Sequence, residues 1–258
     1  MMTALVHTWY LCARLLRNLS RQPAWIVLSL IQPLIYLLIF APAFKRVVEI
    51  PGFGGGSYVD YLVPGVVVMT VMFSGGWSGM GVIEDIDRGV MDRFLVTPAS
   101  RTAIVCGRLL EGAVLAVIQA AIIIGIGWLI GADYPGGVGG MAVLLAASIL
   151  LGEGLAALST GLALVARKEE TLIATINMVL TPAMFLSAVF MRLELMPSWI
   201  QTVARYNPVN WAVASGRGAM QSSVDWGAVL LHAAYLVAFA AVCAALATRA
   251  FRAYQRSV

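Results

Sequence analysis

The sequence predicts an all-α membrane protein with six transmembrane helices. Hydrophobic residues make up 60% of its 258 residues and charged residues only 12%, and the mean hydropathy is +0.88. A soluble domain usually carries about 25% charged residues, so this much apolar surface suits a bilayer rather than water. Six runs are free or nearly free of ionisable residues, and each is long enough to cross a hydrocarbon core about 30 Å thick.

The chain is predicted to be one transmembrane domain over residues 1–258. The approximate bounds of the six spans are 24–44, 61–83, 107–131, 138–166, 171–191 and 226–248. The fourth span contains a single acidic residue, Glu153. The apolar run that contains this span, 134–166, is longer than one span needs. The start of the span is therefore placed after Gly136-Gly137, a pair that favours a turn.

Residues 1–21 are predicted to form an interfacial helix that lies on the membrane. The apolar residues that share one helical face are Leu5, Trp9, Cys12, Leu16 and Leu19. Arg14 and Arg17 point away from that face. The alternative, of equal weight, is that this segment is the cytosolic end of the first span. We expect no signal peptide, because the first apolar run follows three arginines and lacks a small-residue cleavage pattern.

The distribution of lysine and arginine predicts the orientation of the spans. With the N-terminus in the cytoplasm, twelve of the seventeen basic residues fall in cytoplasmic segments and five outside. The five outside are Lys45, Arg46, Arg192, Arg205 and Arg217. This bias favours cytoplasmic placement of both termini. The excess of basic residues is interpreted as contact with anionic lipid and not with nucleic acid.

The segment 193–217, ahead of the last span, is predicted to form an external re-entrant or interfacial hairpin. It contains two prolines, three aromatic residues and an Asn-Pro step; its candidate functional residues are Trp199, Tyr206, Asn207 and Trp211. Prolines and aromatic rings at this position are typical of short helices held at the membrane interface. A plain aromatic belt is the alternative.

The segment 84–98, between the second and third spans, is predicted to form a short amphipathic helix in the cytosol. Its apolar stripe consists of Ile83, Ile86, Val90 and Phe94. Arg88 and Asp92 are spaced for an i,i+4 ion pair, and Asp85 lies three residues before Arg88. Thr97-Pro98 ends the helix, because proline removes a donor and restricts the residue before it. A linker that lies on the membrane is the alternative.

This segment resembles the signature of ABC-2-type export permeases, in which an acidic, Gly-containing helix is followed by Arg, Leu, Thr-Pro and Ser-Arg. The matching residues are Gly89, Arg93, Leu95, Thr97, Pro98, Ser100, Arg101 and Arg108. Pro197–Ile200, and Asn207-Pro208 followed by Arg217, also agree. Within that family the sequence looks most like the daunorubicin-type drug and lipid exporters. Asp92, where the family more often has Glu, and Glu153 depart from the pattern.

The resemblance implies that the segment 84–98 is a coupling helix that docks in a groove of a cytosolic ATPase. The implied interface residues are Asp85, Arg88, Gly89, Asp92, Arg93, Phe94, Leu95, Thr97, Pro98 and Arg101. It also implies a bacterial cytoplasmic (inner) membrane, two permease chains that are identical or related, and two copies of the ATPase. ATP and Mg would then be bound by the partner subunit, and this chain would need no cofactor.

The sequence contains no motif for ATP binding or catalysis, so we expect the chain not to be an enzyme. A P-loop needs Gly-Lys-Ser/Thr, and the two lysines, Lys45 and Lys168, follow Phe44 and Arg167. Ser187 and Ser215 are the serines considered with His232 for a membrane hydrolase, but nothing in the sequence selects them. The three cysteines are spaced for no metal site, and we expect free thiols in the reducing cytosol.

The resemblance therefore implies a permease subunit that moves an amphipathic drug or lipid out of the cell with ATP hydrolysed elsewhere. Export of a lipid-linked saccharide or lipo-oligosaccharide is the first alternative, and an intramembrane enzyme or assembly scaffold is the second. The candidate substrate path consists of Glu153, Asn177, Trp199, Tyr206, Asn207 and Trp211.

Polar residues and glycines inside the spans give further expectations. Glu153 either faces a substrate path and attracts a cationic drug, or has a structural role in which it is protonated or bonded to a neighbour such as Asn177, Gln119 or His232. The two interpretations carry equal weight. Asn177 and Gln119 are expected to form hydrogen bonds between helices. The pairs that should permit close helix approach are Gly75 with Gly79 and Gly127 with Gly131.

Overall fold

The computed structural model of the chain describes residues 23–50, 53, 56–88 and 101–255. The predicted interfacial helix over 1–21 lies outside the described residues. Every regular element in the described part is helical, in agreement with the predicted all-α class. In chain order the α-helices are α1 (Pro23–Ala43), α2 (Tyr58–Trp77), α3 (Gly79–Asp87), α4 (Arg101–Leu129), α5 (Gly137–Ala166), α6 (Glu169–Phe185), α7 (Ser198–Arg205), α8 (Pro208–Ala219) and α9 (Trp226–Gln255). Short 3-10 helices cover Lys45–Glu49 and Leu193–Leu195.

Four helical stretches in the described residues are long and apolar enough to cross a membrane. They are Tyr58–Asp87, Leu109–Leu129, Gly137–Ala166 and Trp226–Ala253, and they correspond to the predicted second, third, fourth and sixth spans. Val27–Ala43, in the predicted first span, is a shorter apolar helix. The helix α6, in the predicted fifth span, ends at Phe185, short of the expected end at 191. The count of six spans therefore stays a prediction.

The helix α2 is the centre of the bundle. In the stretch Tyr58–Asp87, which begins with α2, 61% of the apolar membrane-spanning part is buried inside the chain. The corresponding share in Trp226–Ala253 is 17%. The helix α2 contacts α1, α4, α5, α6 and α8. The outer helices instead present large apolar side chains on their exposed faces, which is the pattern expected of surfaces that face lipid.

Small residues bring α2 and α3 against α5. A Cβ atom on Gly75 would overlap the backbone of Gly152, and one on Gly79 would lie 2.5 Å from the carbonyl oxygen of Ser159. The hydroxyl of Ser159 accepts a hydrogen bond from the Gly79 N–H at 3.1 Å and donates one to the carbonyl of Gly76. The predicted close approach at Gly75 and Gly79 is therefore confirmed.

The second glycine pair acts differently from the prediction. A Cβ atom on Gly127 would overlap the side chains of Val63 and Tyr134, so this glycine does permit close packing. Nothing lies within 4 Å of the corresponding position on Gly131, which has a φ of +95°. The expectation that Gly131 packs against another helix is wrong for the described residues, because this glycine supplies the left-handed conformation that follows the end of α4.

The two polar residues expected to join helices also differ from one another. Gln119 is buried, and its Nε2 donates to the Oγ of Ser29 at 3.0 Å, which confirms a hydrogen bond between α4 and α1. Asn177 is exposed and donates to the carbonyl of Ile173 in its own helix at 3.1 Å. Among the described residues Asn177 therefore does not join two helices in the way that was expected.

Several connecting segments meet at one end of the bundle, which the charge bias predicts to be the outer end. The Oδ1 of Asp60, near the start of α2, accepts from the N–H of Asp133, which follows α4, at 2.8 Å. The N–H of Gly136, just before α5, donates to the carbonyl of Met220 after α8 at 2.9 Å. The opposite end carries α3 and the connection between α5 and α6. Within 193–217 the chain forms α7 and α8, two short helices joined at Tyr206-Asn207.

Candidate functional site

The predicted coupling segment is described as far as Arg88. In α3 the side chains of Val82 and Ile83 are buried, while Glu84 and Arg88 are exposed, so the expected amphipathic pattern is present over this part. Arg88 pairs with Glu84 at 2.5 Å. With side chains 69% and 53% exposed, this ion pair contributes little to stability. Asp92, the partner predicted for Arg88, lies outside the described residues.

Most of the implied ATPase interface lies beyond that point. Asp85 and Arg88 are described, and the backbone of Arg101 begins α4. The remaining interface residues lie outside the described residues: Gly89, Asp92, Arg93, Phe94, Leu95, Thr97 and Pro98. Their role in binding a partner stays a prediction.

Glu153 lies in the middle of α5 and is half-buried against α4, where its Oε1 would be 2.5 Å from a Cβ atom on Gly112. None of its three expected partners bonds to it. Gln119 donates to Ser29 and Asn177 to its own helix, and the Nδ1 of His232 lies 2.8 Å from the carbonyl oxygen of Ala228.

The aromatic residues of the candidate path do not gather around Glu153. Trp199 and Tyr206 are 60% and 78% exposed on the α7 side. Trp211 donates its Nε1 to the carbonyl of Arg205 at 2.7 Å, and its ring centre lies 5.3 Å from that of Tyr235. These rings lie in the short-helix region at the outer end, whereas Glu153 lies midway along α5.

Asn207 has a structural role in the described chain. Its Oδ1 accepts from the N–H of Val209 at 3.0 Å and so caps the start of α8. Its Nδ2 donates to the carbonyls of Ala183 and Leu186 at 2.6 and 3.0 Å, at the C-terminal end of α6. One side chain therefore satisfies backbone groups at the ends of two helices.

Sequence reasoning missed a polar cavity at the outer end, in which two arginines share one aromatic cluster. The Nη1 of Arg217 donates to the carbonyl of Ala188 at 3.0 Å, and its Nη2 donates to that of Tyr61 at 2.8 Å. Its guanidinium carbon lies 3.5 Å from the centre of the Tyr61 ring. The guanidinium carbon of Arg192 lies 4.9 Å from the centre of the Phe53 ring and 5.7 Å from that of Tyr61. Such stacking favours both cations.

Two aspartates line the same cavity, which has a volume of about 180 Å³. The two carboxylate oxygens of Asp60 accept from the N–H groups of Asp133 and Ser57, at 2.8 and 3.0 Å. The hydroxyl of Tyr134 donates to the carbonyl of Ile124 at 3.0 Å. Burial, and to a smaller degree the charge of Asp60, raises the pKa of Tyr134, so this phenol stays neutral.

An apolar groove of about 240 Å³ lies beside this cavity. Its aromatic lining consists of Phe40, Phe44, Tyr58, Phe185 and Phe190. The hydroxyl of Tyr58 donates to the carbonyl of Phe190 at 2.9 Å, and that of Tyr61 donates to the carbonyl of Ala188 at 2.8 Å. Since Tyr58 lines the groove and Tyr61 the cavity, one turn of α2 and the segment after α6 form the boundary between them.

The sequence carries a signal for this region. Phe40 and Phe44 are four residues apart at the end of the first span, and Tyr58 and Tyr61 are three apart at the start of the second. These spacings place each pair on one helical face.

Comparison with known proteins gives consistent matches over most of the chain. The sequence model described as ABC-2 type transporter matches residues 6–220. The daunorubicin resistance ABC transporter permease protein DrrB1 of Streptomyces coeruleorubidus is 30% identical, over 96% of this chain and 85% of that protein. The putative transport permease ycf38 of Cyanophora paradoxa is 29% identical, over 79% and 70% of the two chains. The probable doxorubicin resistance ABC transporter permease protein DrrC of Mycobacterium tuberculosis is 21% identical, over 80% and 73%.

Proposed function

Because the chain belongs to the ABC-2 type transporter family, we propose that it is the permease subunit of an ATP-binding-cassette exporter that moves an amphipathic drug or lipid outward. The observation that carries the proposal is the family match over residues 6–220, which includes the segment 84–98 and both short helices α7 and α8. Relatives named for resistance to daunorubicin and doxorubicin support a drug as substrate.

In this proposal the segment 84–98 docks on a separate cytosolic ATPase, which binds ATP and Mg. The amphipathic pattern of α3 supports the docking, since Val82 and Ile83 pack inward and leave Glu84 and Arg88 for a partner. The helix α3 follows directly on the central helix α2, so a push on α3 would be passed to the core of the bundle. Two permease chains, identical or related, and two ATPase subunits would complete the exporter in a bacterial inner membrane, with both termini of the permease in the cytoplasm.

Co-purification tests the partnership. The chain should be recovered in mild detergent together with an ABC ATPase expressed in the same cell, and ATP hydrolysis by the reconstituted complex should rise when substrate is added. Labelling of a single cysteine placed at position 94 should succeed from the cytoplasmic side alone. No ATPase in the purified complex, or labelling from the exterior, would refute the proposal.

A double substitution tests the coupling role more sharply. Arg93→Ala with Phe94→Ala should leave the chain inserted but separate ATP hydrolysis from export, because both the charge and the apolar anchor are removed. Leu246→Ala with Arg252→Ala is the matched control, since it removes an exposed apolar side chain and an exposed charge near the C-terminus. Export that survives in the first variant as well as in the control would count against a coupling role.

The alternatives receive no support from the described contacts. The hydroxyl of Ser187 donates to the carbonyl of Met184 and that of Ser215 to the carbonyl of Val229, so neither serine bonds to His232. A serine hydrolase requires such a nucleophile–base pair. A saccharide exporter would be supported by a groove in which the rings of Trp199, Tyr206 and Trp211 converge, and Trp199 and Tyr206 are instead exposed.

A further inference from the structure

The cavity at the outer end holds charges of both signs that do not neutralise one another. Arg192, Arg217, Asp60 and Asp133 all line it. Within the described part of the chain, no carboxylate lies within 4.0 Å of either guanidinium group. Opposite charges that share a cavity normally form direct ion pairs, because each gains hydrogen bonds and charge neutralisation. Their separation leaves space for a ligand that carries both charges.

The arginine side of the cavity retains unused hydrogen-bond donors. The Nε atoms of Arg192 and Arg217 are buried and have no hydrogen-bond partner among the described residues. The guanidinium group of Arg192 is held by ring contacts with Phe53 and Tyr61, which leave its N–H groups available. A planar guanidinium with free N–H groups fits the oxygens of a phosphate.

The aspartate side retains unused acceptors. Each oxygen of Asp60 accepts one N–H and keeps a further lone pair. The carboxylate of Asp133 is exposed and accepts no hydrogen bond from the residues that the structure describes. A primary ammonium group, with three donors, is the cation that two such carboxylates would bind best.

The neighbouring groove adds an apolar component. Five aromatic rings line it, and it adjoins the cavity at Tyr58 and Tyr61, whose ring centres lie 6.3 Å apart. A ligand that fills both would have a zwitterionic headgroup and an apolar chain, which is the chemistry of an amphiphile and not of a free amino acid or phosphate.

We propose that the outer end of this chain binds a zwitterionic amphiphile of the phosphatidylethanolamine type. Its phosphate lies on Arg192, next to the buried positive charge of Arg217, its ammonium on Asp133 and Asp60, and its apolar chain in the groove beside Tyr58. The proposal rests on the proposed function only in placing this end in the outer part of a bilayer. It gives the amphipathic substrate a specific charge pattern.

Lipid binding to the purified chain without an ATPase tests this directly, so its outcome is separate from that of the transport assay. Native mass spectrometry would compare phosphatidylethanolamine, phosphatidylglycerol and phosphatidylcholine with identical acyl chains, together with soluble glycerophosphoethanolamine. Phosphatidylethanolamine should bind tightest, because phosphatidylglycerol lacks the cation and the choline group has no N–H donors. Equal affinity for all three lipids would overturn the proposal, and glycerophosphoethanolamine binding as tightly as the lipid would overturn the role of the groove.

Two substitutions test the contacts of the phosphate and of the ammonium group separately. Arg192→Gln should weaken phosphatidylethanolamine and phosphatidylglycerol alike, and Asp133→Asn should weaken phosphatidylethanolamine alone, each by about tenfold to a hundredfold for a lost charged hydrogen bond. The matched controls are Arg205→Gln and Glu49→Gln, which remove the same charges from exposed positions outside the cavity. Affinities of the cavity variants equal to those of the controls, with unchanged circular dichroism, would sink the assignment.

Discussion

Replacing Gly79 by alanine should destabilise the bundle, because Gly79 is where α3 meets α5. Its Cβ atom would lie 2.5 Å from both the carbonyl oxygen and the Oγ of Ser159, whereas ordinary van der Waals contact begins at 3.4 Å. The difference, 3.4 minus 2.5, requires a separation of about 0.9 Å. Ser159 bonds to the N–H of Gly79 and to the carbonyl of Gly76, so it cannot turn away without losing these bonds. Overpacking of this kind costs about 1–3 kcal/mol.

The same substitution at Gly81 is the control. Gly81 lies two residues later in α3, and nothing stands within 4 Å of the added methyl group. Alanine there should stabilise the helix by up to about 1 kcal/mol, so the two variants should differ by about 1–4 kcal/mol. Unfolding of the purified chain in mixed micelles of mild detergent and dodecyl sulfate, followed by circular dichroism, measures the difference. Equal midpoints for the two variants would refute the tight contact between α3 and α5.

Three further predictions concern polar residues. Asn207→Ala should lower the free energy of unfolding by about 2–4 kcal/mol, since it removes a helix cap and two buried hydrogen bonds, whereas Asn177→Ala, at an exposed site, should change it by less than about 0.5 kcal/mol. The raised pKa of Tyr134 stabilises the folded chain fully below its ordinary value of 10.0 and progressively less as the pH rises above it, so Tyr134→Phe should reduce the alkaline loss measured in unfolding experiments across that range. Glu153→Gln should weaken export of cationic substrates more than that of neutral ones in proteoliposomes, and an equal effect on both would indicate a structural role.

The predicted bounds of a helix agree with the structure where a charged residue lies outside the helix. They differ where the charged residue is itself part of the helix. The second span was expected to begin at 61, after Asp60, yet α2 begins at Tyr58. Ser57 caps the helix, and the carboxylate of Asp60 accepts its N–H in a capping box. An acidic residue in the first turn thus belongs to the helix, since it faces the positive end of the helix dipole.

The position at which α6 ends was not predictable from the sequence around it. Its apolar run continues to 191, but the helix stops at Phe185. The carbonyls of Ala183 and Leu186 accept hydrogen bonds from the side chain of Asn207, which lies more than twenty residues later. A stop that depends on a distant side chain cannot be found from periodicity or from local turn residues.

The polar cavity was missed for a related reason. Arg192 and Arg217 entered the sequence argument as basic residues of the outer segments, and Arg217 also as part of the agreement at Asn207-Pro208. Folding instead places both against the ring of Tyr61, and only the chain's tertiary path brings these three residues together. Aromatic faces hold cations at partly buried sites, so a basic residue in an aromatic-rich segment next to a span can be buried rather than solvated.

The two ends of the helical bundle are connected by helices that reach both the cavity and α3. The helix α2 contributes Tyr61 to the cavity and continues into α3, which is held to α5 by Ser159. The start of α5 is in turn tied to the end of α8, where Arg217 is located, through the hydrogen bond from Gly136 to Met220. A displacement of α3 by an ATPase must therefore either break the contact at Ser159 or carry α5 with it. Since well-packed contacts are costly to break, movement of the pair is favoured, and it would shift Tyr61 and Arg217, which are stacked on one another at the cavity, at the same time.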